Sequence, residues 1–151
     1  MSSHQSRNAR LSPASAAADV RYLLDTDTCI YVLNERPPQV LSQFLAHEED
    51  GIAISVITAA ELLFGVRKSA SSRNLGALEK FLGALNVLDF DLEAARRYGE
   101  LRAYLEKKGT PIGSMDMQIA AHALALDLTV VTNNEREFKR VPDLRVENWA
   151  R

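Results

Sequence analysis

From Arg21 to the C-terminus, short apolar runs alternate with longer stretches in which apolar residues recur every three or four positions. The short runs predict buried strands, and the longer period predicts amphipathic helices. Strands and helices that alternate along a chain are typical of an α/β domain. The pattern contains neither an internal repeat nor a second domain, so we predict one domain over residues 21–151.

The same spacing locates the individual elements. Strands are predicted at about residues 21–25, 52–54, 87–90 and 128–132, with a short edge strand at about 144–149. Helices are predicted at about residues 28–34, 37–47, 59–69, 74–85 and 91–108, and a last one begins near Asp116 and ends near Ala125. Lys107, Lys108 and Gly109 mark the end of the long helix, because cations and glycine favour helix C-termini.

Residues 1–20 differ from the rest of the chain. They are rich in Ser, Ala and Arg, contain Pro13 and show no apolar periodicity. They also lack the apolar middle segment of a secretory signal. We therefore predict that they form a disordered N-terminal extension or an expression tag.

The composition is that of a globular protein, since 46% of the 151 residues are hydrophobic. The chain has 18 Lys and Arg against 20 Asp and Glu, and the net charge of −2 argues against a generally basic nucleic-acid binder. A single cysteine, Cys29, excludes an internal disulfide, favours a cytoplasmic location and is predicted to be a buried thiol. No run of about 18 apolar residues predicts a membrane span.

Three acidic residues stand where predicted strands turn into helices. Asp25 ends the first apolar run, Glu61 opens the helix after the second strand, and Asp116 lies in the first turn of the last helix. Ligands of open α/β sheets bind at the carboxyl ends of the strands. Three carboxylates that converge there need a cation, and Mg²⁺ prefers carboxylate and water oxygens. This placement predicts metal-dependent chemistry on phosphate.

Each acid also has a purely structural explanation. Asp25 could cap the helix that follows it, Thr58 and Glu61 fit a capping box, and Asp116 would complement the positive end of its helix. Taken as a set, the three acids favour a site that holds one or two Mg²⁺ or Mn²⁺ ions. Such ions lower the pKa of water, neutralise charge on a reacting phosphate, and lie about 3.5–4 Å apart where two are bound.

With these residues placed, the chain resembles PIN-domain ribonucleases of the VapC toxin type over residues 21–149. Four segments carry the resemblance: YLLDTDTCIY (22–31), ISVITAAELLFGV (54–66), GTPIGSMDMQIAAH (109–122) and VVTNNEREF (130–138). The resemblance implies a three-layer fold with a small parallel sheet of about four or five strands. It also implies a metal-dependent endoribonuclease that forms a homodimer and is neutralised by a cognate antitoxin, with DNA contacted only through that antitoxin. The implied substrate is tRNA, with the anticodon loop of initiator tRNA favoured.

The resemblance assigns Asp25, Glu61 and Asp116 as catalytic residues and metal ligands. The family often has a fourth acid after the last long strand, where this chain has Asn134, and the nearest acid is Glu137. We expect Asn134 to orient water near the metal and Glu137 to supply charge behind it. Hydroxyls of Thr26 and Thr132 are further candidates for orienting water or phosphate, and a cap or a backbone hydrogen bond is the alternative for both.

An RNA substrate would also need basic contacts outside the metal site. The candidates follow the Glu61 helix or the last long strand, and a solvated surface is the alternative for each of them. They are Arg67, Lys68, Arg73, Arg136, Lys139 and Arg140.

Two other functions remain open at this point. Asp25-Thr-Asp27-Thr resembles the nucleophile loop of haloacid-dehalogenase-type phosphatases, in which Asp25 would be the nucleophile and Asp27 the acid. Only 19 residues follow Thr132, too few for the later motifs of that family, and Glu61 and Asp116 would have no role. The second alternative is a PIN-fold RNA-binding protein with weak catalysis. Asn134 in place of a fourth acid favours this alternative, and the presence of the three acids argues against it.

Overall fold

The computed structural model describes residues 20–151. In this range five strands are formed, β1 (Tyr22–Leu24), β2 (Ile52–Ser55), β3 (Asn86–Leu88), β4 (Thr129–Val131) and β5 (Val146–Glu147). The helices are α1 (Thr26–Asn34), α2 (Pro38–Ala46), α3 (Val56–Ser69), α4 (Ser72–Ala84), α5 (Leu92–Lys108), α6 (Ser114–Leu126) and α7 (Glu135–Phe138). A short 3-10 helix, Glu48–Asp50, precedes β2.

The strands form one parallel sheet in the order β3-β2-β1-β4-β5. The chain therefore moves outward from β1 to β3 on one side and then returns to add β4 and β5 on the other. β1 and β4 are paired from Tyr22–Thr129 to Leu24–Val131, so both strands end at the same level. Ligand sites of open α/β sheets lie at the carboxyl ends of strands where the order reverses in this way.

Successive side chains of a strand point to opposite faces of the sheet. The side chains of the central strands therefore pack alternately into two separate cores, one on each face. Leu23, Ala53 and Val130 pack into one core with α5 and α6. Leu24, Ile54 and Val131 pack into the other with α1 to α4 and Trp149. Both faces of the sheet are covered, which explains why the central strand β1 is a continuous apolar run. The predicted three-layer α/β fold is confirmed.

Every predicted strand and helix is present, with ends shifted by at most three residues. α5 ends at Lys108 and Gly109 follows it in the left-handed conformation, at a φ of 71°. Cys29 is a buried free thiol, as predicted. In residues 20–151 no helix is both long enough and apolar enough to cross a membrane.

The N-terminal prediction falls largely outside the described residues. Residues 1–19 are not described, and Val20, which we had placed in the extension, packs into the core with α5 and α6. The division of the chain at residue 20 therefore stays a prediction.

The prediction that Glu61 opens its helix is wrong. α3 begins at Val56, and the Ser55 side chain caps it by accepting a hydrogen bond from the Ile57 amide at 3.1 Å. Glu61 is therefore the sixth residue of α3, and no capping box forms between Thr58 and Glu61. Ser55 takes the cap because it is the last residue of β2, where the backbone is still extended, and directly precedes α3.

The two-core arrangement gives a first testable prediction. Leu24 in the central strand is fully buried, so Leu24→Ala should lower the free energy of unfolding by about 2–5 kcal/mol. Leu45→Ala is the matched control, since Leu45 is 56% exposed and its truncation should change stability by no more than about 0.5 kcal/mol. Urea unfolding measures both, and equal losses would contradict the assignment of Leu24 to the core.

Candidate active site

A pocket of about 200 Å³ opens at the carboxyl edge of the sheet, beside the ends of β1 and β4. It brings together the three predicted acids with Thr26 and Asn134. It also contains three residues that the sequence did not single out as part of a metal site, Asp27, Met115 and Ile119. The lining is Asp25, Thr26, Asp27, Glu61, Met115, Asp116, Ile119 and Asn134.

Asp25 follows β1 directly and is only 5% exposed. One carboxylate oxygen accepts from the Thr28 amide at 2.9 Å and so caps α1, and the other accepts from the Thr132 hydroxyl. Burial raises the pKa of Asp25, and the two threonine hydrogen bonds work against that rise. The capping explanation for Asp25 is therefore correct, and the same carboxylate also faces the pocket.

Asp116 is the third residue of α6 and is half-buried. Its carboxylate accepts from the Asn134 side-chain amide at 2.9 Å. Burial, followed by the adjacent negative charge of Glu137, raises the pKa of Asp116 to about 6, and the charge of Asp25 acts in the same direction. Asp116 thus lies among acids that favour its protonated form when no cation is present.

Glu137 lies beside Asp116 but is not part of the pocket wall. Its carboxylate accepts from the Gly113 amide at 2.8 Å, and this hydrogen bond is the largest cause of its lowered pKa. Gly113 is the cap residue of α6 and has no side chain to satisfy the helix end. Glu137 therefore supplies, from α7, the negative charge and the acceptor that the start of α6 lacks.

Thr132 lies behind the pocket, since its side chain is fully buried. Its hydroxyl donates to Asp25 and accepts from the Asn134 amide at 2.8 Å. Because the Asn134 side chain donates to Asp116, a continuous set of hydrogen bonds joins the two carboxylates. Thr26, by contrast, is the first residue of α1 and lies in the pocket wall.

Glu61 is exposed and forms the α3 side of the pocket. It also lines a second, mainly apolar groove of about 340 Å³ between α1, α3 and α4, so the two cavities meet at Glu61 and Thr26. The apolar residues of this groove are Ile30, Leu33, Leu62, Val66, Ala77 and Leu78.

The six basic candidates are all exposed, and none is part of the pocket wall. Arg67 and Lys68 lie in the last turn of α3, and Arg73 lies in the first turn of α4. Arg136 is part of α7. Two of the six have partners within the chain, since Lys139 pairs with Glu135 at 3.3 Å and Arg140 donates to the Pro111 carbonyl at 2.8 Å.

The imidazoles are separate from the pocket in the described part of the chain. His122 is 1% exposed and lies edge-on to the Phe90 ring, with 5.3 Å between centroids. Burial lowers its pKa. His47 stacks on Trp149 at a centroid distance of 5.0 Å. Neither ring lines the pocket, so the carboxylates are its titratable groups.

The pocket offers a hard cation the ligands it prefers. Among residues 20–151 no group of three or more His, Cys, Asp or Glu side chains is already closed around a metal position. Such a closed cage is not required, because Mg²⁺ keeps several waters and binds through one or two carboxylates. Burial is the largest cause of the raised pKa values of Asp25 and Asp116, and neither carboxylate forms an ion pair within residues 20–151. The residues present therefore fit a divalent ion.

Comparison with known proteins gives consistent matches along the chain. Residues 22–144 match the PIN domain family. The tRNA(fMet)-specific endonuclease VapC of Salmonella typhimurium is 44% identical over 132 residues, covering 87% of this chain and 99% of the relative. Ribonuclease VapC2 of Rickettsia felis is 45% identical over 130 residues, covering 85% and 97%. The crystal structure of DNA-bound VapBC from Salmonella typhimurium superposes with a TM-score of 0.81 at 44% identity, over 86% of this chain and 98% of that chain.

The chain therefore belongs to the PIN-domain family and, within it, to the VapC ribonucleases of toxin–antitoxin systems. This confirms the resemblance carried by the four sequence segments. The phosphatase alternative is set aside, because the match extends over the whole domain and includes the segments around Glu61 and Asp116 as well as the Asp25 loop.

The raised pKa of Asp116 predicts how stability depends on pH. Between the ordinary value of 3.8 and about 6 the folded, metal-free protein binds more protons at this site than the unfolded chain does. Its contribution to stability therefore falls as pH rises through this window. Asp116→Asn removes the charge, so without metal the variant should be more stable than the parent at pH 7, by a margin that shrinks towards pH 4.

Urea unfolding in EDTA at pH 4, 5, 6 and 7 measures this margin. Glu79→Gln is the control, because it removes an exposed carboxylate of α4 that lies outside the pocket. A margin for Asp116→Asn that is the same at every pH would contradict a raised pKa.

Proposed function

We propose that this chain is a cytoplasmic, Mg²⁺- or Mn²⁺-dependent endoribonuclease toxin that cleaves tRNA and is neutralised by a cognate antitoxin. The observation that carries the proposal is the convergence of Asp25, Glu61 and Asp116 on one pocket at the carboxyl edge of the sheet. The family membership supports a ribonuclease, and the carboxylate oxygens of the lining support a hard divalent ion as its cofactor.

In this proposal Asp25 and Asp116 hold the ion, because they are the more buried acids and lack a positive partner. Glu61 is the third ligand and, at the open side of the pocket, is the acid best placed to orient a water towards RNA. One or two bound ions would supply the acidified water and the neutralisation of phosphate charge. Asn134 holds Asp116 in place through its amide, and Glu137 adds negative charge from behind it.

For the substrate, we propose initiator tRNA, cut in the anticodon loop. The support is the Salmonella typhimurium relative named as a tRNA(fMet)-specific endonuclease. Arg67, Lys68, Arg73 and Arg136 are the preferred phosphate contacts, since Lys139 and Arg140 already have partners within the chain. Sequencing RNA 5′ ends after brief expression tests the assignment, and a dominant cut elsewhere in the transcriptome would replace it.

The acids should be required for cleavage in a way that can be separated from folding. Asp25→Asn keeps an oxygen to cap α1, since Asn and Asp are comparable caps, but it removes the charge. We expect Asp25→Asn to lower Mg²⁺-dependent cleavage of tRNA by more than about 10–100-fold. That range is the usual loss when a residue that only supports a metal ligand is replaced. Glu61→Ala and Asp116→Ala should do the same, and EDTA should abolish cleavage by the parent.

Asp91→Asn is the matched control. Asp91 caps α5 by the same type of bond, accepting from the Ala94 amide at 3.0 Å, but it is not part of the pocket. It should retain full cleavage. Unchanged cleavage and metal dependence in Asp25→Asn would remove Asp25 from the site, and Mg²⁺-independent cleavage would remove the metal.

The apolar groove between α1, α3 and α4 supports an antitoxin partner. A helix that lays an apolar face along Ile30, Leu33 and Leu62 would reach the acidic pocket at Glu61 and Thr26. An Arg or Lys at that end of the helix would meet Asp25, Glu61 and Asp116, which gives both affinity and inhibition. The similar VapBC structures support such a partner, and we propose that DNA is contacted only through it.

A groove substitution should weaken neutralisation without harming cleavage. Ile30 is 39% exposed within the groove, so the Ile30→Asp variant should fold. It should weaken binding of the cognate antitoxin by about 10-fold or more, as the loss of a side chain central to an interface does. Leu45→Asp is the control, because Leu45 is exposed on α2 outside the groove. Isothermal titration calorimetry measures both, and equal affinities would place the antitoxin elsewhere.

We also propose a homodimer, on the basis of the family resemblance. The exposed apolar side chains Val56 and Phe64 on α3 are available for such a contact. Sedimentation equilibrium of the toxin, with and without Phe64→Asp, tests this assembly.

A further inference from the structure

The C-terminal segment, residues 146–151, binds the chain on both sides of Asn134. Asn148 donates its side-chain amide to the Glu135 carboxylate at 2.9 Å and to the Asn133 side-chain oxygen at 3.3 Å. Arg151 contacts the same Glu135 carboxylate at 2.7 Å. The residues before and after Asn134 are therefore both held by one side chain, that of Asn148.

The C-terminal segment is itself firmly attached. β5 extends the sheet beside β4, and the Thr132 amide donates to the Glu147 carbonyl at 2.9 Å. Trp149 is buried against Tyr22 and His47, with ring centroids 5.4 and 5.0 Å away. Asn148 thus projects from a rigid support.

Asn134 needs such support because its own position is not set by regular structure. It precedes α7 with a φ of −96° and a ψ of 56°, outside helix and strand values, and its side chain makes no helix cap. Its bonds instead go to Thr132 and to Asp116. A four-residue helix is too short to fix by itself the direction of the residue that precedes it.

We infer that Asn148, acting with Glu135, is a positioning residue for the reaction. By holding Asn133 and Glu135 it fixes Asn134, and Asn134 fixes the Asp116 carboxylate in the pocket. The inference rests on the proposed function in one respect, the role given to Asp116. The C-terminal segment then acts on the metal site without being part of the pocket wall.

Asn148→Asp tests this role with little change of shape. The new side chain keeps the oxygen that accepts from the Ala150 amide at 2.8 Å, but it loses the donor and places a negative charge beside Glu135. The control is Gln39→Ala, which removes a 2.8 Å bond to the Ala150 carbonyl and loosens the same segment without touching residues 133–135.

The first readout needs neither metal nor RNA. In ¹⁵N spectra of the metal-free toxin, the Asn134 side-chain amide should exchange slowly with water in the parent and in Gln39→Ala. It should exchange faster in Asn148→Asp, because its bond to Asp116 is no longer held. An unchanged Asn134 signal in a folded Asn148→Asp protein would overturn the inference, whatever the substrate of the toxin.

The second readout asks whether Asn148 acts through Asn134. Asn148→Asp should raise the Mg²⁺ concentration needed for half-maximal cleavage by about 10-fold. This is the lower limit of the usual effect of replacing a residue that supports a metal ligand. In an Asn134→Ala background the same substitution should add nothing, because the residue it positions is gone. Additive effects in the double variant would overturn the inference and leave the three-acid site intact.

If Asn148→Asp does not fold, Glu135→Gln replaces it. This variant keeps an oxygen for Asn148 and loses the charge that holds Arg151, so a smaller change of the Asn134 amide in the same direction is expected. No change in that amide would again overturn the inference.

Discussion

The candidate site depends on one buried carboxylate, that of Asp25 at the end of the central strand. A buried carboxylate is costly unless hydrogen bonds satisfy it. Here one oxygen accepts from the start of α1 and the other from Thr132, directly after β4. These bonds join three elements at the point where the strand order reverses. The same carboxylate therefore caps α1 and faces the pocket. The structural explanation of Asp25 as a helix cap and the functional explanation as a metal ligand are compatible.

The sequence was informative where local pattern and topology agree. The alternating apolar runs specify parallel strands, and parallel strands place residues such as Asp25 and Thr132 at a common edge. It was misleading at Glu61, because Thr58 and Glu61 satisfy the spacing of a capping box while Ser55, the last residue of β2, takes the cap. It was silent on α7, since four residues show no helical period, and the contact from Glu137 to Gly113 spans 24 residues that no local pattern connects.

The net charge of the chain is −2, so an RNA substrate would need a cation bound at the acidic pocket. Burial raises the pKa values of Asp25 and Asp116, and nearby acids add to the rise, Asp27 for Asp25 and mainly Glu137 for Asp116. The ion pairs among residues 20–151 lie elsewhere, and none includes Asp25, Glu61 or Asp116. In the proposed function this cation comes from outside residues 20–151. A metal ion would make the pocket competent, and a basic side chain of a partner would fill it.

The metal ion and the basic side chain of a partner would both bind at the same carboxylates, and α3 contributes one of them, Glu61. Glu61 lines both the acidic pocket and the apolar groove, so a helix seated in the groove ends where a metal would be bound. In the proposed complex its apolar face would bury Ile30, Leu33 and Leu62, and its terminal cation would pair with carboxylates that form no ion pair within residues 20–151. Inhibition of this kind would require no change of fold. In this proposal the groove sets where the partner lies, and the acids of the pocket set the charge that it carries.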